Sequence, residues 1–152
     1  MIIGIVGLGF VGGAMLESFI IKGYINDKTL FAYDKYKDGG IGSIENILNT
    51  DIVFLALPTP YNKHKKTYEI DSLIDTCALL EEKHYSGIVI IKSTIVPTTV
   101  ENIIEKYPTL SIIHNPEFLT ARTAFHDFHN QTHIVLGVSS TCKLTDIETA
   151  TQ

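Results

Sequence analysis

The sequence predicts a doubly wound α/β domain, a mostly parallel sheet of six strands with helices on both faces. Three observations predict it. Short β-branched apolar runs alternate with stretches whose apolar residues recur at helical spacing. Gly7-Leu8-Gly9-Phe10-Val11-Gly12 spells G-x-G-x-x-G at the junction between the first run and the first helical stretch. Turn-forming groups follow the third, fourth and fifth runs, at what would be the carboxyl ends of parallel strands.

Met1 to Val6 is apolar and ends at Gly7, which reads as a buried strand; Val11, Ala14, Met15, Phe19 and Ile20 then mark a helix. Gly23 stands where a helix-terminating glycine belongs, and Thr29 to Tyr33 reads as a second strand closed by Asp34. Ser43 can cap a short helix through Leu48. Asp51 to Leu57 is a third strand, stopped by Pro58 and Pro60. Tyr61 to Tyr68 is polar and basic and reads as a loop, before a helix built on Ile70, Leu73, Ile74, Ala78 and Leu79. Past Gly87, Ile88 to Ile91 is a fourth strand, Thr98 to Tyr107 a helix and Leu110 to Ile113 a fifth strand. His133 to Val138 is read as a sixth strand, with the start of a helix at Thr145 to Thr149. Residues 1–140 therefore form one domain, and 141–152 a tail or the start of a linking helix.

Composition narrows the function. A chain of 152 residues with 45% hydrophobic and 19% charged residues can build one sizeable core. A net charge of -5 disfavours nucleic acid, whose non-specific affinity comes from Lys and Arg neutralising phosphates. The longest apolar runs, such as Gly87 to Ile91, fall far short of the roughly 20 residues that span a bilayer. Met1 enters an apolar run with no basic flank or cleavage site, so a cytoplasmic location is expected. Cys77 and Cys142 form no C-x-x-C pair and read as idle thiols.

The glycine motif opens a helix directly after a strand, the context that gives it meaning. Gly7 permits the tight turn, Gly9 lets backbone approach a pyrophosphate, and Gly12 lets helix pack on strand. Asp34 lies at the end of the second strand, where an acid binds two ribose hydroxyls and repels a 2′-phosphate. The expected cofactor is NAD, with Lys35 and Lys37 nearby. Pro58-Thr59, Ser93-Thr94 and Asn115 to Glu117 end successive strands and should line the same crevice, although each also serves as a strand stop, a helix cap or a turn. His126, His129 and His133 are read as solvated loop histidines with no metal. Lys63-His64-Lys65-Lys66 is read as a solvated basic run.

The glycine motif, Pro58-Thr59-Pro60, Ser93-Thr94-Ile95-Val96-Pro97 and Asn115-Pro116-Glu117-Phe118-Leu119, followed by Ala124, Asp127 and Gly137, together resemble the N-terminal NAD-binding domain of UDP-glucose/GDP-mannose dehydrogenases. The resemblance covers nearly the whole chain. It implies a Rossmann fold and an oxidoreductase that takes the C6 alcohol of a nucleotide sugar to a carboxylate with NAD. It further implies that Thr94 positions a water or hydroxyl, that Glu117 serves as general base or in thioester hydrolysis, and that Phe118 and Leu119 face the sugar. Gly7 to Gly12, Asp34, Lys35, Pro58, Thr59, Ser93 and Thr94 would hold the cofactor. Thr120-Ala121-Arg122 departs from the family where relatives commonly carry an acid, and Cys142 does not match its glycine-rich cysteine motif. The family's catalytic cysteine and most sugar-nucleotide contacts belong to later domains, so a partner chain or further domains are expected to supply them. A stand-alone NAD-binding module without catalysis is the second reading.

Overall fold

The computed structural model describes residues 1–151. In chain order the elements are β1 (Ile3–Val6), α1 (Phe10–Ile21), β2 (Leu30–Tyr33), α2 (Ile44–Ile47), β3 (Ile52–Leu55), β4 (Tyr61–Asn62), β5 (Thr67–Tyr68) and α3 (Asp71–Glu82). There follow β6 (Ile88–Ile91), α4 (Thr99–Lys106), β7 (Ser111–His114), α5 (Ala124–His129), β8 (Gly137–Val138) and α6 (Leu144–Ala150). The main sheet has six strands, the number that the alternating pattern predicts, and their order is β2-β1-β3-β6-β7-β8. Its first five strands are parallel, and only β8 runs antiparallel.

The registers are continuous: β1 pairs with β2 from Ile3↔Leu30 to Val6↔Tyr33, and with β3 from Ile3↔Ile52 to Val6↔Leu55. Because both faces are covered, the central strands carry unbroken apolar runs, and Ile88 to Ile91 is buried throughout. On one face Leu73, Cys77 and Leu80 of α3 and Ile103 of α4 pack over Val53, Leu55, Val89, Ile91 and Ile112. On the other, Ala14 and Met15 of α1 and Phe128 of α5 cover Ile3, Ile5 and Leu30. Each fully buried Leu, Ile, Val or Met among them contributes about 1.5–3 kcal/mol of transfer free energy. Helix α1 ends in a Schellman motif, with Tyr24 N–H donating to Phe19 O at 3.0 Å, Gly23 N–H to Ile20 O at 3.0 Å, and the rings of Phe19 and Tyr24 edge to face. Ser43 caps α2 through Asn46 N–H at 3.3 Å, so Ser43→Ala is expected to cost about 1 kcal/mol in a urea titration.

Four local expectations are corrected. Tyr61 to Tyr68 is a hairpin: β4 and β5 pair antiparallel, and the rings of Tyr61 and Tyr68 meet edge to face at 5.3 Å. Of the predicted strand His133 to Val138, only Gly137 and Val138 join the ladder. Ile134 and Val135 there are 62% and 54% exposed, so no burial drives them onto the sheet, and the Val135 carbonyl accepts from Asn115 Nδ2 instead. His126 and His129 belong to α5, held by Phe128 in the core, and His129 Nδ1 contacts the buried Ser18 hydroxyl at 2.9 Å. Ser93 does not cap the next helix, which starts later, at Thr99. Cys77 is fully buried and its thiol is pushed up to about 12 by that burial, which fits an idle core thiol. Cys142 donates to the Ile112 carbonyl at 2.9 Å.

Candidate functional site

The carboxyl ends of β1, β2, β3 and β6 border a cleft of about 1130 Å³. It lies where the strand order reverses, since the chain leaves β1 for β2 on one side and returns to place β3 on the other. The glycine motif forms its floor. Gly7 has a φ of +90°, and a Cβ there would stand 2.6 Å from the Ala56 carbonyl oxygen. A Cβ on Gly12 would collide with the Gly7 carbonyl and lie 3.4 Å from Ala56 Cβ, so this glycine sets how closely α1 approaches β1 and β3. A Cβ on Gly9 would meet nothing within 4 Å, because Gly9 faces the open cleft.

Gly9 is also the N-cap of α1, with no side-chain cap, and Gly13 N–H donates back to its carbonyl at 2.9 Å. The N–H groups of the turn before Gly13 are left for an anion, at the positive end of the helix dipole. An uncapped helix start over a bare glycine backbone fits a pyrophosphate.

Asp34 follows β2 and clamps the motif. Its Oδ2 accepts from Leu8 N–H at 2.7 Å, and its Oδ1 accepts from Tyr36 N–H and Lys37 N–H, each at 2.9 Å. Burial alone would raise its pKa. The three backbone donors and the Lys37 ammonium outweigh that and hold the carboxyl below its usual range. The sign follows: Asp34 stabilises the fold above the unfolded carboxyl pKa, and this contribution is lost as pH falls through the lower folded value. Lys37 Nζ donates to Leu8 O at 2.8 Å, whereas Lys35 is exposed with its ammonium 5.4 Å from the Tyr36 ring. A carboxylate offers about four lone-pair directions, so one remains for a ribose hydroxyl.

The strand-end groups converge. Thr59 Oγ1 donates to the Thr94 carbonyl at 2.6 Å. Ser93 Oγ donates to Leu57 O at 2.7 Å and accepts from Leu57 N–H at 3.0 Å, tying the end of β6 to the segment after β3. Thr94 is exposed on the cleft wall, with Pro58 and Thr59 beside it. Glu117 lines the same wall, its side chain only 9% exposed, with Oε2 2.8 Å from the ammonium of Lys92 and Oε1 accepting from Phe118 N–H at 3.0 Å.

Leu8, Phe10, Val11, Lys35 and Leu119 border the cleft as expected of site residues. Gly12 does so indirectly, through packing, and Phe118 is 79% exposed and outside the lining. Sequence reasoning missed two features. The first is the face of α3, where Ser72, Asp75 and Thr76 border the cleft. The second is Lys92, buried at the end of β6, whose Nζ donates to Asn115 Oδ1 at 2.8 Å and lies 5.7 Å from the Phe128 ring. A single cation directly after a four-residue β-branched run was the available signal. Burial pulls the Lys92 pKa below the ordinary lysine range, and contact with Glu117 and its charge oppose that pull. Burial also lowers His114 at the neighbouring strand end, where the Lys92 charge adds to it and the Ser93 backbone works against it.

Among the described residues, no helix is long and apolar enough to cross a membrane. Residues 41–150 match the NAD binding domain of the UDP-glucose/GDP-mannose dehydrogenase family. The chain is 36% identical over 116 residues to the UDP-glucose 6-dehydrogenase AglM of Haloferax volcanii, an alignment covering 63% of this chain and 25% of that protein. A GDP-mannose dehydrogenase from Pseudomonas aeruginosa superposes with a TM-score of 0.74 at 19% identity, over 99% of this chain and 43% of the other. A UDP-glucose dehydrogenase from Pyrobaculum islandicum gives 0.76 at 19% identity, over 97% and 42%. This chain thus spans under half the length of these relatives. With more than half of its residues matched and the glycine cradle and Asp34 in place ahead of the match, the chain belongs to the UDP-glucose/GDP-mannose dehydrogenase family, as its NAD-binding domain.

Proposed function

We propose that this chain is the cofactor half of a cytoplasmic nucleotide-sugar 6-dehydrogenase, which oxidises the C6 alcohol of a UDP- or GDP-sugar to a carboxylate. The observation that carries this reading is the placement of Thr94 and Glu117 on one wall of the cleft whose floor is the glycine motif. When bound, NAD supplies the hydride acceptor. The chain's own groups do the rest of the work in this half. The first turn of α1 receives the pyrophosphate, Asp34 receives a ribose hydroxyl, and Pro58, Thr59, Ser93 and Thr94 shape the wall toward the reacting end. The Thr94 hydroxyl can donate and accept, which suits it to hold a water or substrate hydroxyl. Glu117 is the adjacent carboxylate for moving a proton, and Leu119 extends an apolar surface toward the sugar. A further domain or partner chain would supply the catalytic thiol and the remaining contacts with the sugar nucleotide.

Calorimetric titration with NAD, NADP and the Asp34→Ala variant tests the cofactor site. Binding of NAD is expected, with weaker binding of NADP because a 2′-phosphate would face the Asp34 carboxylate. Asp34→Ala is expected to lower NAD affinity by about 10- to 100-fold, the effect of losing a hydrogen bond to a charged group. Equal affinity for NAD in the variant and the native chain would overturn the assignment of Asp34.

A further inference from the structure

The implied role of Glu117 treats it as a free carboxylate, yet both of its oxygens are engaged. Oε2 lies 2.8 Å from the Lys92 ammonium and Oε1 accepts from the Phe118 N–H. The Lys92 side chain is 1% exposed, so its charge is removed from water. Three groups compensate it: the Glu117 carboxylate, the Asn115 Oδ1 at 2.8 Å, and the face of Phe128 at 5.7 Å. Asn115 is itself fixed through Nδ2 to the Val135 carbonyl at 2.8 Å, and Phe128 is buried between α1 and the sheet. Lys92 therefore grips the turn Asn115-Pro116-Glu117 at both ends, from a position on the end of β6 that cannot swing.

We propose that Lys92 is the positioning residue of this site, clamping Glu117 against the cleft wall so that carboxylate and ammonium act as one charge-neutral unit. The proposal rests on Glu117 being a site residue. Its physical basis is that a buried ion pair fixes orientation even where it adds little net stability. The Lys92 ammonium has no water to turn to, so it holds the Glu117 carboxylate in one orientation on the cleft wall. The other titratable group close by is His114, on the strand next to β6.

The test is NMR of the side-chain ammonium groups in the ¹⁵N-lysine-labelled chain. In the native protein, the Lys92 ammonium protons are expected to exchange with water at least about tenfold more slowly than those of the surface lysines, the ratio that about 1.4 kcal/mol of pairing produces. Glu117→Gln should abolish that protection and lower the Lys92 titration midpoint further, while Lys92→Arg should keep the Phe118 amide resonance near its native position and Lys92→Met should displace it. A native chain in which no lysine ammonium is protected overturns the proposal without any variant having to fold. So does a folded Glu117→Gln variant whose Lys92 signal is unchanged. NAD titrated into the same samples separates the two readings: absence of NAD binding with the protected ammonium intact removes the proposed function and leaves the clamp, whereas NAD binding without protection removes the clamp alone.

Discussion

Gly12→Val is expected to eliminate measurable NAD binding and to destabilise the domain by about 3 kcal/mol, the upper part of the range for inserting carbon into a close-packed site. The position allows no inexpensive adjustment. The first atom of any side chain meets the Gly7 carbonyl, and its carbon lies 3.0 Å away, so the obstacle is backbone that is fixed by β1. Relief requires α1 to move away from the sheet. That motion would separate Ala14 and Met15 from Ile3 and Ile5 and draw the helix N-terminus off the cleft floor. A domain of this size loses roughly 2–4 °C of Tm per kcal/mol, so a fall of about 6–12 °C should accompany the loss of binding. Gly9→Ala is the matched control: its added carbon meets no protein atom, so it should leave Tm near native and weaken only the ligand. Native-like NAD affinity in Gly12→Val would show that helix and strand do not need this contact.

The sheet was legible because its chemistry is local. Ile88-Val89-Ile90-Ile91 is β-branched and unbroken, as buried parallel strands require, and the glycine motif marks the turn out of β1. Asp34 was legible as the end of β2, but its grip on Leu8, Tyr36 and Lys37 depends on residues that only folding brings together. The same limit explains the misses. Ile134-Val135 has strand composition, yet strand composition does not reveal that both residues stay more than half exposed. The hairpin at Tyr61 to Tyr68 shows no apolar alternation. Its two strands are held by paired tyrosine rings and by Asn62, whose Nδ2 donates to Glu69 at 2.6 Å. Lys92 was marked in the sequence only by its place, a lone cation directly after a β-branched run, and nothing local signals that Glu117, Asn115 and Phe128 will surround a residue type that is usually solvated.

Those surroundings give the larger stability effect. Glu117→Ala should cost about 3–5 kcal/mol near neutral pH, because it leaves a buried ammonium without its counter-charge. The pH dependence has a definite sign. Lys92 in the folded state has its pKa below the unfolded value of about 10.4, and removing Glu117 lowers it further. Between the folded and unfolded values the unfolded chain binds more protons than the folded one, so stability rises with pH across that window. The deficit of Glu117→Ala should therefore be greatest on the acid side of the window and shrink as pH approaches about 10. Lys92→Met combined with Glu117→Leu should recover most of the loss at every pH, since replacing both members of a buried pair with apolar groups is often neutral. Urea denaturation of the native chain, the single variants and the double variant at several pH values measures all of this. If Glu117→Ala costs under about 1 kcal/mol, the Lys92 charge reaches water or another partner, as an exposed pair would. A full cost with no recovery in the double variant would instead locate the loss in the Asn115-Pro116-Glu117 turn itself, and the charge pair would then be a consequence of that turn rather than its cause.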